Sequence, residues 1–191
     1  MDAMKTYRIF YLILSLTLLS ACEVRMAPYW SKLFRTQTDS SYYQGKSEIL
    51  TKQIAKDIEE YEIDRITIMD FVDEENRVSI LGEYLSSRVI EAFTGRSLFQ
   101  DRTFRVTQKG EVDAVLKKLS LQHQYLYAKN DLKLLGKSLN SQAIVTGKIT
   151  DLGTNLDIHL TLTDVVTGEA ISSATQHLTR TKFAVEMLRQ H

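Results

Sequence analysis

The hydrophobic pattern of this chain divides it into three parts: an apolar run from Ile9 to Leu19, an aperiodic stretch, and from Ser47 a series of stripes and alternations. Ile49, Leu50, Ile54, Ile58 and Tyr61 fall on one helical stripe with Lys52, Lys56, Glu59 and Glu60 off it, predicting an amphipathic helix that ends near Glu62. The segment Asp64 to Phe71 is short, β-branched and apolar, as a largely buried strand is. Asp73-Glu74-Glu75-Asn76 breaks it, and Ser79 caps a helix in which Leu81, Tyr84, Leu85, Val89, Ala92 and Phe93 recur at intervals of three and four, up to Gly95. A second strand is expected over Phe104 to Thr107. Helices follow on the stripe Val112, Val115, Leu116, Leu119 and from Lys129 to Leu139 on Leu132, Leu135 and Leu139.

The period then changes from helical to two. Ala143, Val145, Gly147 and Ile149 alternate with Ile144, Thr146 and Lys148, and Leu152-Gly153-Thr154-Asn155 makes a turn. Leu156, Ile158, Leu160 and Leu162 alternate with Asp157, His159, Thr161 and Thr163, and Glu169 to Leu178 returns as the antiparallel partner. Helices followed by a meander predict an α+β fold: a mixed or antiparallel sheet with helices packed on one face.

The first apolar run follows Lys5 and Arg8 and ends in small residues, the layout of a secretory signal. As a helix it would extend roughly 17 Å, short of the roughly 30 Å of hydrocarbon in a bilayer, so a membrane span is not expected. Removing residues 1–21 leaves 170 residues, enough for one domain, with 22 basic and 23 acidic side chains. That balance gives no basic surface for nucleic acid, which is not expected as a partner. The single cysteine, Cys22, excludes an internal disulfide, and the single proline, Pro28, excludes a proline-rich spacer. Residues 22–44 are expected to be a tether, with Tyr29, Trp30, Tyr42 and Tyr43 also suited to a membrane interface. Residues 45–179 then form the domain, and 180–191 a C-terminal tail open to helix formation.

Leu19-Ser20-Ala21-Cys22 resembles the lipobox of bacterial lipoproteins, in which the chain is cut before the cysteine and the cysteine is acylated. One acyl chain gives marginal membrane binding and two or more make it stable, so the resemblance implies a permanent membrane anchor at Cys22. From about Ser47 to Leu178 the chain resembles the FlgO domain family, within the group that contains the curli secretion protein CsgG. The residues that carry the resemblance are Ile66-Thr67-Ile68-Met69-Asp70-Phe71, Leu81-Gly82-Glu83-Tyr84-Leu85, Phe104-Arg105-Val106-Thr107 before Val115-Leu116-Lys117, the run Leu135 to Gly147, and Leu162 to Glu169. The resemblance implies an α+β fold like that of anticodon-binding domains, anchored by lipid in the bacterial envelope and associated with the flagellar basal body and motility. Its motif residues Asp70, Phe71, Gly82, Gly136, Gly147, Asp164 and Gly168 are expected to specify fold. Gly136 and Gly147 would permit close backbone approach, Asp164 would fold onto following amides, and Gly168 would take a positive φ. Two departures narrow the function. No extra pair of alternating strands is present for a curli-type pore, and residues 23–44 lack the length of the spacer with which the related activator of penicillin-binding proteins crosses the cell wall.

No catalytic chemistry is expected. The histidines His123, His159, His177 and His191 form no pair at helical ligand spacing, and Cys22 is committed to lipid, so neither a metal nor a cofactor is predicted. Asp157 and His159 share a strand face that His177 could meet from the returning strand, but exposed sheet faces commonly carry such residues. The same face with Thr161 would be the site of a hydrolase, were there one. Glu59-Glu60 and Asp73-Glu74-Glu75 suit a solvated helix end and a turn. There is no Gly-x-Ser-x-Gly elbow and no phosphate loop.

The expectation is therefore a non-enzymatic structural or assembly lipoprotein of FlgO type, with basal-body proteins or a homo-oligomeric ring as partners. The alternative is a regulatory lipoprotein that binds another envelope protein, such as a cell-wall synthase or secretion component. Glu23 is acidic but is not the aspartate that retains lipoproteins at the inner membrane of enteric-type bacteria, so the outer membrane facing the periplasm is favoured.

Overall fold

A computed structural model describes residues 39–95 and 104–191. Cys22 and the signal-like segment lie outside these residues, and no helix among the described residues is long and apolar enough to cross a membrane. Among the described residues, five helices and five strands follow one another as α1 (Asp39–Glu60), β1 (Arg65–Ile68), α2 (Ile80–Thr94), β2 (Arg105–Val106), α3 (Lys109–Leu119), α4 (Lys129–Leu139), β3 (Ala143–Asp151), β4 (Asn155–Asp164), β5 (Ala170–Thr179) and α5 (Lys182–Arg189). Ser79 caps α2 as its sequence predicts, its hydroxyl accepting from the Gly82 amide at 3.1 Å.

The sheet has the order β2-β1-β3-β4-β5. β1 runs parallel to both β2 and β3, while β3, β4 and β5 form an antiparallel meander, so the α+β class and the mixed sheet are as expected. The single helical face is not. Successive residues of β3 point to opposite sides, and Val145 joins a core with Leu50, Ile54, Ile58, Leu81, Leu85, Val89 and Leu188, from α1, α2 and α5. Ile144, next to it, joins a second core with Met69, Val112, Leu116, Leu132, Leu135 and Leu139, from α3 and α4. The short stripes of α3 and α4 need a surface of their own, and the sheet's other face supplies it.

Two segments expected outside the domain belong to it. α1 begins eight residues before Ser47, and Tyr43 is buried in the first core against Tyr84 at a ring separation of 5.7 Å. The buried polar residues Ser47 and Thr51 interrupt the apolar stripe and hide the first turns of α1; Thr51 is satisfied by donating to the Ser47 carbonyl at 2.8 Å. At the other end, Thr181 caps α5, and Ala184, Val185 and Leu188 bury one side of it.

Candidate functional site

The residues with chemical potential gather where β1 ends. Hydrogen bonds from the Met69 and Val72 amides to the Val145 and Gly147 carbonyls, at 2.9 and 3.0 Å, continue the β1–β3 ladder and hold Asp70 and Phe71 between them. The Phe71 ring fills the space over Gly147, where a Cβ would overlap it, and the Phe71 carbonyl occupies the space where a Cβ of Gly82 would stand. Gly136 likewise admits Val165, which a Cβ would approach to 2.6 Å. At the β4–β5 turn the Asp164 carboxylate accepts from the amides of Val166 and Thr167 at 2.8 and 2.6 Å, and Gly168 has φ +73°.

Asp70 is buried, and its carboxylate is surrounded. It accepts from the Ser86 hydroxyl at 2.6 Å and pairs with the Lys109 ammonium at 2.8 Å, while His123 Nε2 lies 3.7 Å away. Glu83 lies 3.6 Å from Lys109, and Asp113 lies 3.6 Å from His123. Burial disfavours the charge on Lys109, but the bond to Asp70 and the charges of Asp70, Glu83 and Asp113 outweigh it and hold its pKa above the ordinary lysine value. The first turn of α3 supplies Lys109 and α2 supplies Ser86, so the carboxylate joins both helices to the end of β1.

Among the described residues, Asp70, Asp113 and His123 are the set whose ligand atoms come close enough to hold a metal, all within 4.8 Å. Two features make it a poor centre. The Lys109 ammonium already stands where Asp70 would receive a cation. His123 Nδ1 accepts from the Asp70 amide at 3.2 Å, which leaves the ring proton on Nε2, the atom that would have to bind. Below this cluster, Thr67 is bonded to Ser141 and to Thr107, the latter at 2.9 Å. The arrangement is a polar joint whose groups satisfy one another.

The Asp157, His159 and His177 face does not converge either. Asp157 accepts from Asn155 and pairs with His177 Nδ1 at 2.6 Å, whereas His159 Nδ1 turns to the Thr175 hydroxyl at 2.8 Å. Thr161, the third residue of the hydrolase reading, is bonded to the Tyr125 hydroxyl at 2.9 Å, and the Tyr125 ring meets His159 edge-on. The Thr175 hydroxyl does meet the His159 imidazole, but the Asp157 carboxylate is taken by His177 and Asn155 and does not orient His159 as a triad requires. What the face offers is breadth: Lys148, Thr150, Asn155, Asp157, His159 and Thr163 are half-buried, and Ser173, Thr175 and His177 are exposed.

Sequence reasoning placed Asp70 among the fold-specifying residues and missed Lys109 and His123. Nothing local marks them, because they meet Asp70 only through the parallel placement of β2 beside β1 and the path of the segment after α3. The one sequence signal is the position of Lys109, between the strand expected over Phe104 to Thr107 and the helical stripe that opens at Val112.

No protein-family model matches the chain, and no curated protein matches it. Among solved structures, the C-terminal domain of LpoB from Escherichia coli is similar with a TM-score of 0.53 at 12% identity, covering 72% of this chain and 98% of that one. The NMR structure of Escherichia coli LpoB is similar with a TM-score of 0.51 at 12% identity, covering 69% of this chain and 66% of that one. At such identity the likeness is one of fold, and this domain shares the fold of the LpoB C-terminal domain.

Proposed function

We propose that this protein is a lipid-anchored protein of the bacterial envelope, held through Cys22 at the outer membrane and facing the periplasm, whose domain acts without catalysis by docking on another envelope protein. A cell-wall synthase or a secretion component is the kind of partner meant. The observation that carries the reading is the division of polar groups between two places. Asp70, Ser86 and Lys109 are spent on one another at the end of β1, and a row of half-buried and exposed polar side chains forms a broad face over β3, β4 and β5, suited to a protein surface and not to a small substrate. The fold shared with the LpoB C-terminal domain supports this regulatory reading over the flagellar one, which rests on the FlgO-like motifs. Fold alone does not assign function, so the site must carry the argument.

A photo-crosslinking residue at Lys148, in the intact cell, tests the reading. One envelope partner should be captured there and not from Lys133 on the exposed side of α4. Recovery of the protein itself together with basal-body components would restore the flagellar assembly reading. Labelling with a radioactive fatty acid should be abolished by Cys22→Ala, and the wild-type protein should float with outer-membrane vesicles.

A further inference from the structure

β5 is ten residues long, ends the sheet, and has no strand on its outer edge among the described residues. Such an edge invites pairing unless charge, proline or a bulge prevents it. From Ala170 to Thr179 there is no Lys, Arg, Asp, Glu or Pro, and the one irregularity lies near the Ala170 end, opposite Leu162 and Thr163.

The groups that face outward can be identified. The Thr179 amide is turned away from β4 and donates to the Tyr42 hydroxyl at 2.7 Å, and the Thr179 carbonyl accepts from Thr181, which closes that end. By alternation His177, Thr175 and Ser173 also present their amides and carbonyls outward, while Leu178, Gln176, Ala174 and Ser172 serve β4. Three outward residues at even spacing match themselves when reversed. With Thr175 on a two-fold axis, Thr175 meets Thr175 and Ser173 meets His177, each pair able to exchange both backbone bonds.

A second, independent feature stands at the same level. α1 runs along β5, with Lys46 bonded to Gln176 and Asp57 to Ser172. Ile49 follows Lys46 by three residues on that flank of the helix, beside the level of Thr175, and is 43% exposed. A two-fold axis through Thr175 brings one Ile49 toward the other.

We propose that a second copy of this chain pairs with the β5 edge, antiparallel and about a two-fold axis at Thr175, joining two sheets into one with the Ile49 side chains meeting above it. This isologous contact closes on itself, unlike the contact that builds a ring, and it does not depend on the docking face proposed above. A strand without Lys, Arg, Asp or Glu suits a copy of itself, since the pairing sets His177 opposite Ser173 and no like charges opposite each other.

The test uses the full chain with Cys22→Ser in detergent. Sedimentation velocity should show a monomer–dimer equilibrium that Ile49→Glu shifts at least tenfold toward monomer with unchanged circular dichroism. Thr175→Cys should give a covalent dimer with a short bismaleimide, and Val166→Cys, at the exposed β4–β5 turn, should not. A chain that stays monomeric at its highest soluble concentration overturns the proposal. So does a dimer that Ile49→Glu leaves intact and that Thr175→Cys fails to crosslink, because its contact then lies elsewhere. If residues ahead of Asp39 cover the edge instead, Thr175→Cys crosslinks within one chain to a cysteine placed there and not between chains, which also overturns it.

Discussion

The two halves of the sheet solve the same burial problem in opposite ways. Where β1 and the first residues of β3 run parallel, the sheet is covered on both faces, so that Ile66, Ile68 and Val145 enter one core while Met69 and Ile144 enter the other. The antiparallel β4 buries Leu156, Ile158, Leu160 and Leu162 on one side and leaves Asp157, His159 and Thr163 half-buried on the other, where no helix among the described residues joins a core with them. Connection explains the difference. A parallel pair requires a crossover, and its helices end on the faces of the sheet, whereas a hairpin needs only a turn. The covered half has become the scaffold, and the half joined by turns holds the free chemistry.

Mutations should separate the halves in a definite order. Leu135 is fully buried between α4 and the sheet, so Leu135→Ala should cost about 3 kcal/mol through transfer and cavity terms. Ile144→Thr, which puts a hydroxyl in the α4-side core, should cost about 2 kcal/mol. Chemical denaturation measures both. If Ile144→Thr proved neutral, the second core would not be a packed one.

Asp70→Asn should cost about 1.5 kcal/mol, less than a fully buried pair because Lys109 is partly exposed. Its pH signature is distinctive. The folded pKa of Lys109 is raised, so its contribution is full below the ordinary lysine value and is lost as pH rises through the higher folded value. The alkaline limb of the stability curve should flatten in Asp70→Asn.

Asp73 gives the opposite sign. Burial raises its pKa, but bonds from the Arg77 amide and guanidinium and from the Glu75 amide prevail and lower it. Its contribution is present above the ordinary carboxylate value and is lost as pH falls through the lower folded value. Asp73→Asn should therefore shallow the acid limb in a urea titration. The smallest effect belongs to the open face, where Thr163→Ile should change stability by no more than about 0.5 kcal/mol. A larger loss would mean that this face is not open.

What the sequence disclosed follows the same division. The meander was legible to within a residue or two, because alternation is the pattern that a half-buried strand imposes. α2 and α4 were equally legible from Ser79 and from Leu132, Leu135 and Leu139. β2 shrank to two residues, and the assignment of α3 and α4 to a separate face was hidden, because a stripe says that a helix buries one side and not against which surface. Asp70 was legible as a fold residue. Its partners Lys109 and His123 come from 39 and 53 residues away and carry no shared periodicity.

The packing of α1 along β5 also governs how the fold bears load. Tension directed along the axis of α1 pulls that helix along the last strand. Tyr42 on Thr179, Lys46 on Gln176 and Asp57 on Ser172 then resist in shear, sharing the force over the length of the helix, where a contact pulled open from one end would fail link by link. α1 is thus anchored to β5, so a pull along this helix is carried by the carboxyl-terminal part of the domain before any strand is drawn from the sheet.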